Sequence, residues 1–79
     1  MITAAQCRAA RGLLEWSQLE LAEYADVGVV TVHQLESGLS RPHRATFDVV
    51  KRAFEAAGVE FIDANGGGPG VRLREAPRK

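Results

Sequence analysis

His33 and Gln34 stand side by side in the stretch Thr31-Val-His-Gln-Leu35, and Arg41, His43 and Arg44 follow shortly after. A carboxamide offers a donor and an acceptor at once, an imidazole supplies either, and a guanidinium seeks anions. These groups suit hydrogen-bonded recognition rather than bond cleavage. No Ser/His/Asp set, carboxylate pair or ligand cluster accompanies them. The two histidines, His33 and His43, are too few and too far apart for a metal site. The single Cys7 excludes an internal disulfide and any multi-cysteine zinc site. Its helical spacing makes it a core thiol. The glycine run Asn65–Gly70 superficially looks like a phosphate-binding loop, but it lacks the Gly-Lys-Ser/Thr ending and no helix follows. No catalytic residue, cofactor or metal is expected.

A chain of 79 residues with 46% hydrophobic and only 6% aromatic residues forms one domain with a modest core of aliphatic side chains and alanine. No apolar run approaches the ~18 residues of a membrane span, and no charged-then-apolar leader opens the sequence. With one cysteine, this predicts a cytoplasmic protein. Ten basic and ten acidic residues cancel. The balance is local: Met1–Glu36 carries two basic and five acidic residues, Ser37–Lys79 eight and five. Arg41, His43, Arg44, Lys51 and Arg52 lie close together in the chain.

Several elements must position these groups. Thr3-Ala-Ala-Gln6 is a capping box that opens a first helix, with Cys7, Ala10 and Leu14 on one face and an end near Leu14. Arg8 is expected to be solvated, and Trp16 to be a core residue bridging the first two helices. Ser17-Gln-Leu-Glu20 is a second capping box, opening a short helix with Leu21, Ala22 and Ala25 inward. Ala25–Gly28 breaks the pattern. Val29 to Leu35 resumes it with Val32 and Leu35 inward, and Ser37-Gly38 ends it. Two short helices joined by about four residues mark a helix-turn-helix. After a loop containing Pro42, Arg44 or Ala45 starts a fourth helix with Phe47, Val50, Ala53 and Phe54 inward, closed by Gly58. Val59–Asp63 and Val71–Arg74 read as strands around a glycine-rich turn. The fold class is therefore mainly α: four helices over residues 1–58, a C-terminal β-hairpin over 59–74 and a tail over 75–79.

Arg11, Leu14, Trp16-Ser17-Gln18, Glu20-Leu21-Ala22, Val27, Thr31-Val32, Leu35-Glu36-Ser37-Gly38 and Pro42 carry a joint spacing that resembles the Cro and lambda-repressor class of helix-turn-helix domains, the XRE family. The resemblance runs from Thr3 to about Gly58. It implies a four-helix lambda-repressor-like domain that binds double-stranded DNA. Gln18 matches a position that hydrogen-bonds a phosphate. Val29, Val30, His33 and Gln34 match the base-reading face of the recognition helix. Arg11 and Glu36 match a partly buried structural ion pair. The loop Leu39–Arg44 matches a stretch lying along the sugar-phosphate backbone. Four positions depart from the pattern. Asp26 replaces the usual turn glycine, Gly28 replaces the usual hydroxyl cap, and Val29 and Val30 stand where polar readers are common.

A major groove about 12 Å wide admits one helix. Gln34 can pair bidentately with adenine, His33 can donate or accept, and the two valines can pack on thymine methyl groups. Phosphate contacts are expected from Gln18, Arg41, His43 and Arg44. One recognition helix spans few base pairs, so a homodimer on a palindromic operator is expected, acting as a transcriptional repressor. An isolated hairpin is marginal in water. Val59, Phe61, Ile62, Val71 and Leu73 are therefore expected in the dimer interface. A protein-binding module, such as an antitoxin or anti-activator holding a protein partner, is the rival expectation.

Overall fold

The computed structural model describes residues 2–38, 43–64 and 66–74. Four helices, α1 (Ala4–Leu14), α2 (Gln18–Ala25), α3 (Val29–Ser37) and α4 (Arg44–Ala56), are followed by strands β1 (Val59–Ile62) and β2 (Gly70–Leu73). The fold is mainly α, with the hairpin near its C-terminal end.

The helix starts follow local chemistry. Thr3 accepts from the Gln6 N–H, and the Gln6 side chain accepts in return from the Thr3 N–H. Ser17 and Glu20 make the same reciprocal pair at α2. Each box satisfies two donors that a helix N-terminus otherwise leaves unpaired. Both helices end in the left-handed conformation without a glycine, at Glu15 (φ 55°) and Asp26 (φ 57°). The Trp16 N–H reaches back to the Arg11 carbonyl at 3.0 Å, and the Val27 N–H to Ala22 at 3.0 Å. Such six-residue closures reverse the chain tightly. The second one turns α2 into α3 across only three residues, 26–28. Gly28 then caps α3 by its carbonyl alone, accepting from the Val32 N–H at 3.2 Å.

The core gathers one face from every element. Cys7, Ala10, Leu21, Ala22, Ala25, Val32, Leu35, Phe47, Val50 and Phe54 are buried as the helical periodicity requires, joined by Ile2 and Val59. Trp16 differs from expectation. It is half-buried rather than fully buried, packs against the core, and stacks on Tyr24 of α2 (centroids 4.3 Å apart) and Phe54 of α4 (5.8 Å).

The strands pair antiparallel, Val59 with Leu73 through Ile62 with Gly70. Period-2 alternation places Val59, Phe61, Val71 and Leu73 on one face, and that face packs against the helical core. The other face carries Ile62 and a cross-strand Glu60–Arg72 ion pair at 3.1 Å. Gln6 fastens the far end of the hairpin: its side-chain NH2 donates to the Ile62 carbonyl (3.3 Å) and the Gly70 carbonyl (3.0 Å). One buried carboxamide thus caps α1 and ties both strands to it.

Candidate nucleic-acid interface

α3 buries Val32 and Leu35 completely and turns Val29, Val30, His33 and Gln34 outward. Val29 and His33, like Val30 and Gln34, are four residues apart, so they form two adjacent rows on one helical face. Val29 is 41% and Val30 65% exposed, although both are large and apolar. None of the other described residues covers the ridge.

Glu36 fixes this helix from behind. Its carboxylate is almost fully buried and accepts from Arg11 Nε (2.7 Å), Arg11 Nη2 (2.8 Å), Gln18 Nε2 (3.1 Å) and Cys7 Sγ (3.4 Å). Arg11 also donates to the Trp16 carbonyl at 3.0 Å. Burial pushes the Glu36 carboxyl up, but the hydrogen bonds from Arg11, Gln18 and Cys7 and the Arg11 charge outweigh it. They hold Glu36 below its ordinary value. The same hydrogen bond raises Arg11 further. Burial, then the neighbouring Glu36 charge, pushes the Cys7 thiol far up, so it stays a neutral donor. The pair that the resemblance implies, Arg11 and Glu36, is therefore in bidentate contact and sits within a larger knot of three helices.

Arg8 is exposed, as expected, and it also has a protein partner. Its guanidinium lies at the surface, yet it donates to the Glu36 backbone carbonyl in the last turn of α3. A cation at a helix C-terminus is favourable there. Its position three residues before Arg11, on the same face, was the available signal. Gln18 stands at the first position of α2, partly exposed, with its NH2 engaged by Glu36. His43 precedes α4 as its N-cap residue and Arg44 opens the helix, both exposed. Arg41 lies outside the described residues, as do Leu39, Ser40 and Pro42.

The five residues expected at a dimer interface separate. Val59 is buried, and Phe61, Val71 and Leu73 are packed on their own core, whereas Ile62 is 40% exposed on the opposite face. The hairpin finds its packing surface within its own chain, on α1 and α4.

A short helix, a three-residue reversal and a second helix whose outer face is bare define a helix-turn-helix domain. The family described as helix-turn-helix matches residues 8–62 of this sequence. The chain belongs to that family, the Cro/C1-type or XRE helix-turn-helix proteins, which are DNA-binding regulators. None of the curated proteins compared with the chain matches it. Among the described residues, no helix is long and apolar enough to cross a membrane.

Proposed function

We propose that this protein is a cytoplasmic, homodimeric transcriptional repressor that reads a palindromic operator through α3. The observation that carries the proposal is the ridge of Val29, Val30, His33 and Gln34, bare on a helix whose back is locked by Val32, Leu35 and Glu36. A helix of nine residues is about 13 Å long and fits the major groove end-on or along it. Gln34 and His33 supply polar readout. Arg41, His43 and Arg44 supply phosphate contacts, and Gln18, oriented by Glu36, completes them. A protomer 31 Å across suits two half-sites one turn, about 34–36 Å, apart. The proposed self-association uses the outer face of the hairpin around Ile62, because the inner face is already packed.

The test is a mobility shift on the DNA upstream of the protein's own gene. Gln34→Ala is expected to relax base preference, and Arg44→Ala to weaken all sequences alike. If both variants match wild type, the interface assignment is wrong. The Trp16–Tyr24 stack, with Tyr24 67% exposed, favours a second reading as a protein-binding module. Salt separates the two: phosphate contacts weaken steeply with rising salt, and an apolar protein contact does not.

A further inference from the structure

We infer that Val29 and Val30 make this protein a reader of pyrimidine C5-methyl groups, responsive to thymine and 5-methylcytosine alike; the inference rests on the DNA-binding reading above. From Val27 to Val30 the chain offers no polar side chain. Val27 packs on the core, while Val29 and Val30 project outward in the first turn of α3, the part of a recognition helix that meets base edges. Gly28 adds nothing beside them; a Cβ there would come no closer than 3.8 Å to any neighbour, the Thr31 hydroxyl, so the wall next to the valines is open.

A hydrocarbon side chain cannot satisfy a base donor or acceptor. Pressed against guanine O6 or the cytosine amino group, a valine strips water from it and returns no hydrogen bond. The C5-methyl group is the one major-groove feature that gains by such contact. Thymine carries it intrinsically, and 5-methylcytosine carries it at the same ring position. Polar readout by His33 and Gln34 one turn further along sets the remaining bases. Operator occupancy then depends on the methylation state of any cytosine that faces the valines.

The experiment starts from duplexes enriched by the full-length protein out of a random-sequence library. The enriched duplex is resynthesised with deoxyuridine replacing each thymidine in turn, a change that removes a methyl group and alters no donor or acceptor. At the positions facing the valines, wild type is expected to lose about fourfold per methyl. Cytosine at those positions binds more weakly than 5-methylcytosine by a similar factor. Val29→Ala and Val30→Ala lose the sensitivity at their own positions. Both sites are exposed and alanine is the stronger helix former, so the variants keep the fold, which thermal melting confirms. Equal binding of thymine and uracil duplexes, or of cytosine and 5-methylcytosine duplexes, overturns the inference while leaving sequence-specific DNA binding intact. If no duplex is enriched at all, the DNA-binding reading fails and takes this inference with it.

Discussion

Glu36 keeps its charge in a nearly water-free position because three donors from two other helices converge on it. Removing the carboxylate leaves Arg11 without its partner, and breaking a buried pair costs about 3–5 kcal/mol, a large part of a small domain's stability. Glu36→Ala is therefore expected to lower the urea midpoint sharply at neutral pH. A carboxyl held below its ordinary value stabilises the fold above the unfolded-state value and loses that contribution as pH falls through the folded one. The gap between wild type and variant should begin to narrow once the pH drops below 4.5 and go on narrowing through the depressed value. A gap that widens in acid would contradict this assignment. The Arg11–Glu36 pair was visible in the sequence through its family resemblance. Cys7 and Gln18 were not visible as its companions, because they meet only when α1, α2 and α3 cross at their folded angles.

The two capping boxes could be read directly, since each links residues three apart and needs no tertiary context. At Asp26 the left-handed turn survives the loss of the usual glycine, because aspartate tolerates that region. Glu15 carried no such signal, yet it adopts the same conformation. Glu15→Gly is expected to stabilise the domain by about 0.5–1 kcal/mol, which for a chain of this size raises Tm by roughly 2–8 °C. An unchanged or lower Tm would show that the strain is offset elsewhere. Gln6 gave a helix-start signal that concealed its second role at the hairpin. Gln6→Ala removes the donor shared by the Ile62 and Gly70 carbonyls and half of the α1 capping box. Faster amide exchange in β1, β2 and the first turn of α1, with α3 little affected, is the expected pattern.

The hairpin shows where sequence reading reached its limit. Its alternation of apolar and polar residues was clear, but alternation says only that one face is covered, not what covers it. The face bearing Val59, Phe61, Val71 and Leu73 meets α1 and α4 of the same chain, which leaves Ile62 as the large apolar side chain that the described hairpin residues expose. Ile62→Lys is expected to weaken self-association at least tenfold in sedimentation while changing stability by about 0.5 kcal/mol or less. Unaltered sedimentation would overturn the proposed self-association through Ile62. Binding should also respond to ionic strength as a whole-molecule property. If the proposed dimer engages about four phosphates, two per protomer, the slope is expected near −3.6 in log K against log salt.

Gln6 bonds to Gly70, 64 positions later in the chain. A nascent polypeptide halted before β2 has its four helices but nothing to seal the side of α1 that the second strand covers. At about 5–20 residues added per second, the stretch from the end of α4 at Ala56 to the end of β2 at Leu73 takes roughly 1–3 s to synthesise, and the helices wait at least that long before that seam closes. The native state is thus completed only once the distal strand is released, and premature termination within the glycine-rich turn should yield an aggregation-prone fragment instead of a shorter working regulator.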